Sequence, residues 1–248
     1  MDTSWEESSA WYDKIVADKG HYYHQTVIIP KVLRLLDLKK EDSLLDLACG
    51  QGVLARALPS FCSYVGLDAS PSLIQQAKTR SPQREFKVAD VTKPLPLDKK
   101  HSFSHATCIL ALQNIEHPHA VFKQVASFLK KGAKLVVVLN HPAFRIPRQS
   151  SWGIDASKKL QYRRIERYMT PLQIPLQTNP GQKTKGSVTY SFHYPLSTYS
   201  QGLLEQGFLI EKIEEWVSDK KSTGSCARME NRSREEFPLF LTLLAQKP

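Results

Sequence analysis

The segment Asp46-Leu47-Ala48-Cys49-Gly50-Gln51-Gly52 constrains this 248-residue chain more than any other. It follows a short apolar run, Ser43 to Leu47, and precedes a helix through Leu58 that Pro59 stops. Gly50 and Gly52 admit backbone conformations and a close ligand approach that a Cβ would block. The helix that follows aims its N-terminal amides at whatever lies in the turn. Two further acids extend the pattern. Asp68 ends the next strand, Tyr64 to Leu67, and Asp90 ends a third, Phe86 to Ala89. The spacing from Gly52 to Asp68 is where an acid meets the ribose hydroxyls of a bound nucleoside. One acid at a strand end is commonplace. Three at successive strand ends beside a glycine turn point to a ligand on the carboxyl edge of a sheet.

The rest of the first 140 residues fits that reading. Val27 to Leu38 has a helical apolar face, and Ser70-Pro71 is a good start for a helix to about Arg80. Phe103 to Leu110 reads as a fourth strand, Pro118 to Lys130 as a helix stopped at Gly132, and Lys134 to Leu139 as a fifth strand. Alternation with short connections implies a doubly wound α/β sheet, mostly parallel. After Asn140 the rhythm breaks for about fifty residues rich in Pro, Ser, Gln, Arg and aromatics, read as an inserted lid. It resumes with a helix over Leu196 to Gln206, a strand over Phe208 to Val217, a charged loop, and a last strand over Pro238 to Ala245. Two late strands without a full helix between them predict an antiparallel hairpin at the sheet edge. The organisation expected is one domain over 1–248. It comprises a cap segment (1–30), a ligand-binding core (31–140), the insertion (141–195), and a C-terminal helix with edge strands (196–248).

Composition narrows the function classes. Hydrophobic residues make up 41% and charged residues 23%, the balance of a globular chain. No apolar run is long enough to span a bilayer, and the acidic opening Met1 to Glu7 does not read as a signal peptide; a cytoplasmic location is expected. The four cysteines form no CxxC pair, so no metal is expected. The net charge of +10 is concentrated in residues 141 to 192, which hold nine Lys or Arg, Lys183 and Lys185 among them, against Asp155 and Glu166. A solvated basic face accounts for that, as does a field that attracts an anionic substrate or nucleic acid.

On Asp46, Ala48, Gly50 and Gly52 the chain resembles the class I S-adenosylmethionine-dependent methyltransferases, small-molecule type, as in ubiquinone and menaquinone biosynthesis. Residues 44 to 140 follow that family's order, with weaker matches over 196–217 and 238–246. Ala48 stands where the family often has glycine. The resemblance implies a Rossmann-like seven-stranded sheet and S-adenosylmethionine as cofactor. It implies the methionine part over Gly50 to Gly52, with its ammonium near Asp46. Asp68, followed by Ala69, would hold the ribose. Asp90 and the Val91 amide would meet the adenine, and Leu110 and Ala111 would flank the methyl group. Gly50 to Ala55 also fits the looser dinucleotide pattern of an NAD-dependent oxidoreductase. Against it, Asp46 is awkward beside a pyrophosphate and Asp90 has no evident task there.

The fourth strand ends Ile109 to Asn114 without the Asn/Asp-Pro-Pro-aromatic stretch of base amino methylation. Its apolar end resembles that of the small-molecule methyltransferases, and the aromatics and basic charge of the insertion add the expectation of an anionic or amphiphilic acceptor, with an RNA methyltransferase as the alternative that the basic charge raises. Tyr12, Tyr22, His24, Gln113, Arg145 and Arg148 are the candidate acceptor contacts. His141 and His193, at the two ends of the insertion, are the candidate acid–base residues.

Overall fold

A computed structural model describes residues 5–16, 20–98, 102–177 and 188–248. Met1 to Ser4, Lys183 and Lys185 lie outside them. Helix α1 (Ser9–Val16) is followed by a wide turn, His24–Ile28, that runs into α2 (Ile29–Leu36). The core then alternates: β1 (Ser43–Leu47), α3 (Val53–Ala57), β2 (Ser63–Asp68), α4 (Pro71–Arg80), β3 (Glu85–Val88), β4 (Phe103–Ile109), α5 (Pro118–Ala126), β5 (Leu129–Asn140). Two antiparallel strand pairs lie in the insertion, β6 (Ser150–Asp155) with β7 (Leu160–Ile165) and β8 (Leu172–Gln177) with β9 (Val188–His193). The chain closes with α6 (Leu196–Glu205), β10 (Leu209–Trp216), α7 (Ala227–Glu236) and β11 (Phe240–Gln246).

The main sheet has seven strands in the order β10-β11-β5-β4-β1-β2-β3. β10 and β11 are antiparallel to their neighbours and the other pairings are parallel. This is the doubly wound sheet with an antiparallel edge that the sequence predicts. Alternating residues of β5 divide the core. Leu135, Val137 and Leu139 face α5 and α6 through Val121, Phe122 and Leu203, while Val136 and Val138 face the layer of Val32, Leu36 and Leu54. Each such side chain contributes roughly 1.5–3 kcal/mol when fully buried.

Three elements differ from expectation. The helix before β5 ends at Ala126, and Gly132 lies inside β5 at φ +78°, donating its N–H to the Lys247 carbonyl at 2.6 Å. It serves a strand irregularity, not a helix end. The segment between β10 and β11 is not only a charged loop, since it contains α7. That helix is missed because six of its ten residues are charged and only Ser233 is buried. Pairs such as Glu230 with Arg234 at 3.7 Å support it in place of an apolar stripe. The insertion, where the sequence leads to no expected strand, contains two strand pairs among its described residues, and neither joins the main sheet.

Candidate functional site

The turn after β1 is wound through three left-handed residues, Ala48 (φ 54°), Gly50 (φ 56°) and Gly52 (φ 75°). A Cβ on Gly52 would meet the Phe86 ring at 3.1 Å and Ala77 at 3.3 Å, so this glycine lets α3 and α4 approach the sheet. Gly50 has a different neighbour: its Cβ would face Tyr12 at 3.6 Å. Ala48 takes the left-handed conformation without glycine's freedom, at a cost of roughly 1–2 kcal/mol.

Asp68 ties the two strand ends together. Its Oδ2 accepts the Gly50 N–H at 2.8 Å and its Oδ1 accepts the Ser70 N–H at 2.9 Å. Burial raises its pKa, against those amide bonds. Ser70 then caps α4 by accepting the Leu73 N–H at 3.1 Å. Glu6 of the cap segment accepts from the Ser70 and Ser72 hydroxyls and from the Ser72 N–H at 3.1 Å. Arg80 reaches Asp13 of α1 at 2.6 Å and Gln51 at 2.6 Å. The cap is thus docked on α4, with the Tyr12 phenol above Gly50. Burial pushes that phenol's pKa up, so it stays protonated.

A cavity of about 780 Å³ opens along the carboxyl edge of the sheet. Of the residues expected at a cofactor, Ala48, Gly50, Asp68, Ala69, Asp90 and Val91 line it. Leu110 and Ala111 form the floor at the end of β4, with Leu110 itself at φ 53°. Asp90 Oδ1 accepts the Thr92 N–H and hydroxyl at 2.9 and 2.6 Å, and Lys93 stands 3.1 Å from Oδ2. Those bonds hold its pKa down against partial burial. Of the expected acceptor contacts, Tyr12, His24 and Gln113 line the cavity.

Other expected residues stand elsewhere. Asp46 does not line the cavity: its carboxylate accepts the Tyr64 hydroxyl at 2.8 Å and the Thr107 hydroxyl at 2.7 Å. Burial raises its pKa to about 6. His141, read as an acid–base candidate, has both ring nitrogens engaged. Nε2 meets Glu215 at 2.7 Å, and Nδ1 accepts the Ala143 N–H at 3.2 Å. It closes the turn after β5 and ties it to β10. His193 Nε2 bonds the Tyr168 carbonyl at 2.7 Å. Neither histidine lines the cavity, and both are pushed down in pKa by burial. Arg145 lies over the Phe240 ring at 5.7 Å, Tyr22 stands under Lys220, and Arg148 is exposed; all three are outside the cavity wall.

Sequence reasoning missed Trp5, Glu116 and His117 as lining residues, and also Pro147, Leu176 and Ser191 from the insertion. Glu116 and His117 sit in the loop after β4, where the strand-end rule alone would have placed them. Trp5 and the insertion residues reach the cavity only through tertiary packing, which no local pattern encodes.

Among the described residues, three buried polar atoms of the cavity wall have no hydrogen-bond partner: Trp5 Nε1, His24 Nδ1 and Gln113 Oε1. Unpaired buried groups cost roughly 1–3 kcal/mol each, and a polar ligand would relieve that. His24 is neutral at physiological pH, its pKa lowered to about 4 by burial and by nearby His21 and Arg56. The residues present fit S-adenosylmethionine. Two carboxylates stand at strand ends for the ribose and adenine, the turn leaves Gly50 without a side chain, and the floor near the β4 terminus is apolar.

The comparisons agree with the geometry. A family model described as a methyltransferase domain matches residues 20–197. An S-adenosylmethionine-dependent methyltransferase structure from Mesorhizobium loti is 26% identical, with TM-score 0.66 over 88% of this chain and 96% of that one. A second, from Listeria monocytogenes, shares the fold at 21% identity, with TM-score 0.67 over 89% of this chain and 98% of that one. A ubiquinone biosynthesis O-methyltransferase of Xanthomonas euvesicatoria is 31% identical over 133 residues, 52% of this chain and 55% of that protein. The chain thus spans about half the length of the curated relatives it matches. With the family model covering well over half of its residues, the chain belongs to the class I S-adenosylmethionine-dependent methyltransferases.

Proposed function

We propose that this enzyme transfers the methyl group of S-adenosylmethionine to a hydroxyl oxygen of a small, amphiphilic acceptor. The observation that carries the reading is the cavity itself. Its wall combines residues of the acid-and-glycine edge of β1 to β3 with Gln113, Pro147, Leu176 and Ser191. Asp68 would hold the ribose hydroxyls, with lone pairs to spare beyond its two amide bonds. Asp90 and the Val91 amide would take the adenine, and Gly50 with Tyr12 the amino-acid part. When bound, the cofactor supplies an activated methyl group, so the protein's share is alignment and exclusion of water.

Gln113 supports an O–H acceptor. Its Nε2 donates to the Leu110 carbonyl at 2.6 Å, which fixes the amide, and its buried Oε1 is an acceptor without a donor among the described residues. A ligand hydroxyl at that point would satisfy it. Neutral His24 lines the same cavity and would orient the ligand. The name of the Xanthomonas relatives points to oxygen as well. The test is incubation with isotopically labelled cofactor and a fractionated small-molecule extract, read by mass spectrometry. Label on the oxygen of a hydroxylated product supports the reading; label on RNA or on nitrogen alone contradicts it.

A further inference from the structure

We infer that the β6–β7 arm docks the enzyme on an anionic phospholipid surface. Six of the thirteen large hydrophobic residues exposed among the described residues lie on the insertion: Trp152, Ile154, Tyr162, Ile165, Met169 and Val188. The other seven are scattered over the remaining, much longer part of the chain, so the concentration is local. The pairing of Trp152 with Arg163, Ile154 with Gln161 and Ser150 with Ile165 puts Trp152, Ile154 and Ile165 on one face of the hairpin. Trp152 is anchored edge-on to Phe237 at 5.4 Å, under the Arg163 guanidinium. Ile154 and Met169 are 59% and 68% exposed. A two-stranded hairpin with apolar side chains on it is marginal in water alone, and apolar area of this kind marks an interaction surface.

Charge selects the partner. Described residues of the insertion carry seven Lys or Arg against Asp155 and Glu166. Lys158 and Arg164 pair with those two acids. No carboxylate pairs with Arg148, Lys159 or Arg167 among the described residues. These three stand at φ 59°, 51° and 53°, in bends at the two ends of the hairpin where glycine would be unstrained. Cations flanking exposed aliphatic side chains match an anionic headgroup layer over an acyl region. Of the two exposed rings, Trp152 is covered by Arg163 and flanked by Phe237, and Tyr162 lies over Gly153; Ile154, Ile165, Met169 and Val188 offer no flat ring for stacking a base, which disfavours RNA. A second copy would bring the same positive charge against this one. The insertion also supplies Pro147, Leu176 and Ser191 to the cavity, so a docked arm would set the acceptor side of the site against the bilayer. That last link rests on the amphiphilic acceptor proposed above; the docking itself does not.

The experiment is co-sedimentation of the full chain with phosphatidylcholine vesicles, with and without phosphatidylglycerol, at low and high salt. Wild type should pellet with the phosphatidylglycerol vesicles at low salt and not with phosphatidylcholine alone. Ile154→Ser with Met169→Ser, and separately Arg148→Gln with Arg167→Gln, should each weaken binding roughly tenfold. Thermal stabilisation by S-adenosylhomocysteine should be unchanged in both, which shows that they fold and keeps this outcome separate from the cofactor reading. No pelleting with anionic vesicles, or pelleting that both variants retain, would overturn the inference. So would a dimer in sedimentation equilibrium that the Ile154/Met169 variant dissolves, or tight salt-sensitive binding of a single-stranded RNA oligomer, if either occurs without vesicle binding.

Discussion

The carboxylate of Asp68 at the end of β2 holds the Gly50 N–H of the preceding turn at 2.8 Å. One acid therefore shapes the loop and faces the cavity that the loop borders. Asp68→Ala should weaken S-adenosylhomocysteine binding at least tenfold, since charge-assisted hydrogen bonds contribute roughly 1.5–3 kcal/mol each. It should also cost stability, because the Gly50 and Ser70 amides lose their acceptor. Titration calorimetry and urea denaturation read the two effects separately.

Asp46 governs a pH dependence. Its folded pKa, about 6, lies above the ordinary value of 3.8 because it is buried. The folded state therefore binds the proton more tightly than the unfolded chain. The sign follows: stability is greatest below pH 3.8 for this group and falls as pH rises towards 6, by about 2–3 kcal/mol. Asp46→Asn should remove that fall. Denaturation of both proteins between pH 4 and 7 checks it as a difference, because Asp90 and Glu214, whose pKa values are lowered, add a slope of opposite sign common to both.

His141 is expected to act on stability alone. Replacing it with Ala removes the Glu215 bond and the acceptor for the Ala143 amide, at a cost of about 1–3 kcal/mol. Cofactor affinity should change little. A loss of turnover under saturating cofactor, with stability unchanged, would return it to an acid–base role.

Ala48 sits at φ 54°. Ala48→Gly should stabilise the enzyme by about 0.5–1 kcal/mol, the relief of left-handed strain being partly offset by the freer unfolded chain. Differential scanning calorimetry would show a rise of a few degrees; a fall would mean that the methyl group packs better than the strain costs.

The strand–turn–helix alternation and the acids ending β1 to β3 were legible because hydrophobic period and glycine position are local. The same locality misled the reading of Gly132, whose positive φ serves a strand and not a helix end. The hydrogen bonds of Asp46 and His141 were hidden for a different reason. Their partners, Thr107 and Glu215, lie 61 and 74 residues away in the chain, and nothing near either residue reveals that its polar atoms are already taken. Trp5 and Leu176 reach the cavity by packing of the cap and insertion, which a linear pattern does not carry.

The most direct measurement is isothermal titration of the purified chain with S-adenosylhomocysteine and, in parallel, with NAD. The account predicts saturable one-to-one heat for the first, lost in Asp68→Ala, and none for the second. Absence of heat with S-adenosylhomocysteine, or equal binding by the Asp68 variant, would contradict it.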